Sequence, residues 1–98
     1  MGAGAVAVLV AKERRIVDAF RRAGAVDPRA AVTPSTIGVA ERFAFRKLRQ
    51  HAVLREAGRG AFYLDEPSWE ALRSMRRRLA LMLLLLMLVA AVAFWMRS

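Results

Sequence analysis

Apolar positions recur with a helical period in two stretches of the chain and fall in strand-like pairs in a third. In the last stretch they run on with no polar interruption at all. From Lys12 to Ala25, Ile16, Phe20 and Ala23 return at helical spacing with Val17 beside them. Arg14, Arg15, Asp18, Arg21 and Arg22 take the other face, so this segment reads as an amphipathic helix. Gly24 and Asp27-Pro28 end it. Ala31-Val32 reads as a brief extended piece. Thr33 and Pro34 then fit the N-cap and first residue of a short helix that Gly38 cuts off. A second clear helix is predicted from about Ala40 to Ala52. Ala44, Phe45, Leu48 and Ala52 lie on one arc of it and Arg42, Arg46, Arg49 and Gln50 on the opposite arc. Phe43 falls on that polar side, with Lys47 just beyond it. Val53-Leu54-Arg55-Glu56 and Ala61-Phe62-Tyr63-Leu64 have strand composition, and Ala57-Gly58-Arg59-Gly60 has turn composition. A two-stranded hairpin is not stable alone, so it must pack on the helices.

The last helix is predicted to begin at Pro67, capped by Asp65 or Glu66. It continues through Trp69, Leu72 and Met75 into Leu79–Met96, which holds no charge, no Pro and no Gly. That stretch has no polar face and is about 27 Å long as a helix, enough for a membrane span. Arg73, Arg76, Arg77 and Arg78 stand before it, while only Arg97 and Ser98 follow. Positive flanks stay inside, so the N-terminal domain is expected in the cytoplasm, on the inner membrane, with Trp95 as an interfacial anchor at the far side. A single span at the C-terminal end resembles the topology of tail-anchored proteins. The rise from Pro67 to Arg78, about 18 Å, holds the domain close to the bilayer, and no Gly/Ser-rich linker intervenes. The stretch Gly2–Ala11 is also apolar, but it is too short to span and lacks a basic leader. It either extends the first helix or precedes the natural start, for which Val6, Val8 and Val10 offer alternatives. The chain thus divides into an apolar extension (1–11), a cytoplasmic domain (12–66), a basic juxtamembrane helix (67–78) and a transmembrane helix (79–96).

Charge narrows the function classes. The 98 residues carry 17 basic and 8 acidic side chains, a formal +9. Such a balance suits nucleic acid, anionic lipid or an acidic partner. Heavy use of Ala, Arg, Gly and Val points to a GC-rich bacterial source. Cysteine is absent, which excludes disulfides and Cys-based metal sites. The single His51, at the end of the basic helix, reads as a surface or cap residue. Glu41 and Glu56 are isolated, and Asp65-Glu66 suit a helix start electrostatically. Gly58-Arg59-Gly60 is a turn, since no Lys-Ser/Thr and no following helix accompany it. No catalytic residue, metal or cofactor is expected; the chain is expected to act by binding.

The order helix, short helix, helix, hairpin resembles a winged-helix domain over roughly residues 12–66. Ile37-Gly38-Val39 stands as the turn, Phe45-Arg46-Lys47-Leu48 in the recognition-helix position, and Val53–Glu56 with Phe62–Leu64 as the wing. The helix before the turn is shorter than in that family. The resemblance implies a mainly α fold with a two-stranded wing, followed here by one C-terminal membrane helix. It also implies DNA or a protein as partner, since winged helices serve both. Arg42, Arg46, Arg49 and Gln50 would then face a major groove, where Arg pairs with guanine and Gln with adenine. Arg59 at the wing tip would reach phosphate or minor groove. Phe43 either anchors a protein partner or packs under the wing against Phe62 or Tyr63. The Arg73 and Arg76–Arg78 cluster is expected to set topology and to attract anionic lipid, at about 1 kcal/mol per residue.

Overall fold

The computed structural model describes residues 2–98. Three helices and a two-stranded antiparallel hairpin follow the order α1 (Gly2–Arg22), α2 (Phe43–Gln50), β1 (Leu54–Glu56), β2 (Phe62–Leu64) and α3 (Glu66–Arg97), with 3-10 turns at Pro28–Ala30 and Pro34–Ile37. The Ala-rich stretch ahead of Lys12 is helical and continuous with the amphipathic segment, as Ala favours. Gly24, at φ 73°, closes α1. Its N–H donates to the Arg21 carbonyl and that of Ala25 to the Phe20 carbonyl, so the last carbonyls are satisfied as the chain turns away. Asp27 caps the first 3-10 turn by accepting from the N–H groups of Arg29 and Ala30. Pro34 opens the second, as expected, although the Thr33 side chain makes no cap bond.

Helix α2 is shorter than its periodicity predicts. Arg42 is extended and serves as the N-cap. At the other end Ala52 sits at φ 60°, the position where Gly24 closes α1. The N–H groups of Ala52 and Val53 bond back to the carbonyls of Arg49 and Leu48, closing the helix in the same way. Leu54 pairs with Leu64, Arg55 with Tyr63 and Glu56 with Phe62. On the far side of β2, Val32 exchanges both backbone hydrogen bonds with Phe62. The extended piece before the second 3-10 turn is thereby tied to the hairpin.

One core lies between these elements. Val17 and Phe20 of α1, Phe45 and Leu48 of α2, Val53, Leu54, Phe62, Leu64, and Trp69 and Leu72 of α3 are all buried. Phe45 meets Phe62 edge to face at 5.1 Å between centroids, a favoured aromatic geometry. Ala23, predicted on the apolar stripe, is exposed; the stripe runs instead through position 13, Val17 and Phe20. Helix α3 starts one residue before Pro67, with Asp65 as N-cap and Ser68 donating to the Asp65 carboxylate. Its first turns complete the core. Beyond Arg78 it leaves the domain, and every described side chain to Met96 is exposed. It is long and apolar enough to cross a membrane.

Candidate functional site: two arginine sets

Helix α2 turns Ala44, Phe45 and Leu48 inward, and this orientation sets Arg42, Phe43, Arg46, Arg49 and Gln50 on the outside. Arg42 and Arg46 make no ion pair among the described residues. Nor does Arg59, exposed in the hairpin turn between Gly58 and Gly60. Arg49 is committed elsewhere. Its Nη2 lies 3.2 Å from Glu56 Oε1 and its guanidinium 5.0 Å above the Phe62 ring. Glu56 Oε2 in turn accepts the Gly60 N–H, so Arg49 braces α2 against the turn of the hairpin. The expected four-residue constellation is therefore Arg42, Arg46 and Gln50, with Arg59 nearby in the fold and Arg49 serving structure. Phe43 does not pack under the wing; Phe45 fills that place. Phe43 is 59% exposed, with Lys47 Nζ at 6.0 Å from its ring.

Beside the start of α2, an open groove of about 1160 Å3 separates it from the outer side of α1. Val6, Leu9, Ile16 and Phe43 give it apolar walls, and Lys12, Arg15, Arg22 and Arg42 its charge. No acidic residue lines it among the described residues.

The juxtamembrane arginines divide differently from expectation. Arg76 is expected to attract anionic lipid with Arg73, Arg77 and Arg78. Instead its Nη1 and Nη2 fork onto Glu13 Oε1 and Oε2 at 2.6 and 3.2 Å. Glu13 is fully buried, the one buried charged residue of the described chain. A carboxylate there needs a paired cation, and a bidentate guanidinium satisfies both oxygens. Arg73 leans over Trp69 at 6.0 Å and lies 4.0 Å from Glu70. Arg77 and Arg78 stay exposed and without an ion pair among the described residues, and Trp95 is exposed near the end of α3. Glu13 is absent from the sequence-predicted sites, although its helical phase marks it: it stands four residues before Val17 and seven before Phe20, on the buried stripe itself.

A second pair ties the same helices at their other ends. Arg21 Nη2 meets Glu66 Oε1 at 2.8 Å, and Arg21 also holds Asp18. The hydrogen bond from Arg21 lowers the Glu66 pKa, burial opposes this in part, and the charge of Arg21 adds to the lowering. No family model matches the chain, and comparison with curated proteins and with solved structures returned no similar protein.

Proposed function

We propose that the chain is a single-pass membrane protein whose winged-helix-like cytoplasmic domain binds nucleic acid at the membrane surface. The observation that carries this reading is the free cationic face. Arg42, Arg46 and Gln50 on α2 and Arg59 on the wing tip remain exposed with no acidic partner, while the opposite side of α2 is core. Cations left free of internal acids can neutralise phosphates, and Arg with Gln can also read base edges. The membrane part of the reading rests on the uncharged, unburied length of α3 and on the Arg77-Arg78 flank at its domain end.

The experiment uses the full chain in phosphatidylcholine nanodiscs. A fragment ending before Arg76 would strip the partner from buried Glu13. DNA affinity is measured at two salt concentrations for the wild type and for a variant with Arg42, Arg46 and Arg59 all changed to Ala. The variant should bind more weakly and show a flatter salt dependence, since fewer counterions are released. Full retention of binding removes the groove reading. Sequence preference must also be tested, because a +9 chain binds DNA loosely on charge alone.

Exposed Phe43 favours a second reading, a non-DNA adaptor or small subunit that docks a protein partner. Aromatic anchors dominate protein interfaces, so Phe43→Ala would then weaken partner binding more than any single Arg change. Membrane placement has its own test. Leu84→Asp with Leu85→Asp should move the protein to the soluble fraction, as each central Asp costs about 2.5–3.5 kcal/mol of insertion. Arg59 should resist protease added to intact spheroplasts, and cleavage there without lysis would reverse the topology.

A further inference from the structure

Two ion pairs tie α1 to α3 in antiparallel order. Arg21 meets Glu66 near the end of α1 and the start of α3, and Glu13 meets Arg76 further along both. Between these pairs, Val17 and Trp69 line one small cleft. The order of partners is reversed between the chains, so moving toward the N-terminus of α1 is moving along α3 toward its apolar end. At the level of the Glu13–Arg76 pair both helices change character together. On α1, Lys12, Glu13, Arg14 and Arg15 give way to Gly2–Ala11, which holds no charge. On α3, Arg76, Arg77 and Arg78 give way to Leu79–Met96. An antiparallel course carried on from the Glu13–Arg76 pair would set Val10 opposite Leu79 and Val6 opposite Leu83.

This part of α1 is only partly covered: Leu9 and Val10 are half-buried beside the open groove to α2, while the described residues nearer the N-terminus are left to solvent. Val6 and Val8 are 59% and 55% exposed, and Leu79, Leu81 and Leu83 are more than half exposed, so the two apolar segments do not bury each other. An apolar helix with its outer face exposed, beginning where its neighbour turns apolar, finds a continuous apolar environment in the bilayer that α3 would enter. We propose that the N-terminal half of α1, Gly2–Ala11, enters the cytoplasmic leaflet beside α3. The protein then holds the membrane at two places, and Lys12, Arg14, Arg15, Arg77 and Arg78 form one cationic collar at the phosphate level. The inference rests on α3 crossing the bilayer.

The dimensions agree. Ten helical residues rise about 15 Å, half of a hydrocarbon core about 30 Å thick. The free N–H groups of the first turn are costly in hydrocarbon and favour a tilted, shallower seat within the one leaflet. Five cations at the collar match anionic headgroups. The domain is thereby fixed in orientation as well as tethered, since two helices entering one surface cannot swivel about a single axis.

The absence of cysteine makes the test direct. Single cysteines at Val6, Leu84 and Arg59 of the full chain are labelled with an environment-sensitive fluorophore. The proteins are reconstituted in phosphatidylethanolamine–phosphatidylglycerol vesicles. Quenching is read with iodide in the water and with nitroxide lipids labelled near the headgroup or in mid-chain. The Val6 label should be blue-shifted, quenched by nitroxide lipid as the Leu84 label is, and spared by iodide. The Arg59 label should show the reverse. Iodide quenching at Val6 with lipid quenching at Leu84 overturns this inference and leaves the span intact. Protection of Val6 from both quenchers also overturns it, since a second copy or another protein would then cover the segment. Loss of lipid quenching at Leu84 overturns the spanning helix and this inference together.

Discussion

Arg76 and Arg46 both sit on charged stretches of helix, yet their surroundings differ in kind. Arg76 is forked onto a carboxylate that water does not reach. Arg46 meets solvent and no acid among the described residues. The difference extends to sets. Arg21, Arg49, Arg55 and Arg76 each join two elements through Glu66, Glu56, Asp65 and Glu13. Arg42, Arg46 and Arg59 make no ion pair among the described residues, and they add positive charge to the surface. Half of the eight acidic residues hold helices and hairpin together, and the basic surplus falls on the outer side of α2, the hairpin turn and the residues ahead of the apolar stretch of α3. An arginine's role in this chain is decided by what the fold brings opposite it.

The largest expected effect tests the paired set. Arg76→Ala leaves Glu13 buried and alone, a loss of about 3–5 kcal/mol. A domain this small has stability of the same order, so the variant should melt far below the wild type or not fold. Phe45→Ala, which empties the centre of the core, belongs to the same range, about 3–5 kcal/mol. The double change Glu13→Leu with Arg76→Leu should recover most of the loss, because a buried ion pair replaced by apolar groups is often neutral or better. Thermal melts of the full chain in detergent measure all three. An unchanged melt for Arg76→Ala would erase the distinction between the two sets.

That distinction was only half legible in the sequence. Local periods found what local physics decides: the inward arc of Ala44, Phe45 and Leu48, the hairpin to within one residue at each strand, and the unbroken run from Trp69 into the apolar helix. They misplaced α2 at both ends, where Arg42 and Ala52 adopt non-helical angles set by the turn and the strand they join. They extended the α1 stripe to Ala23 and left Glu13 out of it, because a charged residue carries no apolar signal even where its helical phase is that of the core. Its partner lies 63 residues away, and no periodicity within a helix reports on the helix opposite. The exposure of Arg42, Arg46 and Gln50 was legible, since a residue opposite a buried arc stays outside whatever the rest of the fold does. The contacts of Arg49 with Glu56 and Phe62 on the hairpin were not legible, because they cross to another element.

Arg49→Ala is expected to have an intermediate effect. It removes a half-exposed ion pair and a cation above Phe62, together about 1 kcal/mol. The Gly60 amide, held by Glu56, should also exchange faster. A loss as large as that of Arg76→Ala would move the hairpin brace into the core class. Smaller still is the contribution of Arg21–Glu66, whose side chains are nearly half exposed. Glu66 is held below the ordinary carboxylate range, chiefly by the hydrogen bond from Arg21. The unfolded chain therefore takes up this proton at a higher pH than the folded one. The stabilisation is present above the usual carboxylate pKa and is lost as pH falls through the folded value. Glu66→Gln should flatten that part of the acid limb of a stability–pH curve, and salt should shrink the difference.

The smallest expected change in stability belongs to Arg46→Ala, and it is the sharpest test of the free set. Arg46 covers no buried group and meets no acid, so truncation removes only solvated atoms and should shift stability by no more than about 0.5 kcal/mol. Its effect should appear in binding instead. If Arg46 neutralises one phosphate, its loss reduces the salt slope of DNA affinity by about one and weakens binding to all sequences alike. If it reads a guanine, the loss is about 1–3 kcal/mol at the preferred site and nearly nothing elsewhere. Arg46→Lys separates these two cases, because a lysine keeps the charge and gives up the planar fork. It should preserve the phosphate contribution and fail to preserve the base contact. A variant that loses stability on Arg46→Ala as it does on Arg76→Ala would place Arg46 in a buried pair and end the division between the sets. A variant that keeps both its stability and its full DNA affinity would leave the free face with Arg42 and Arg59 alone, too few to hold a recognition helix in a groove.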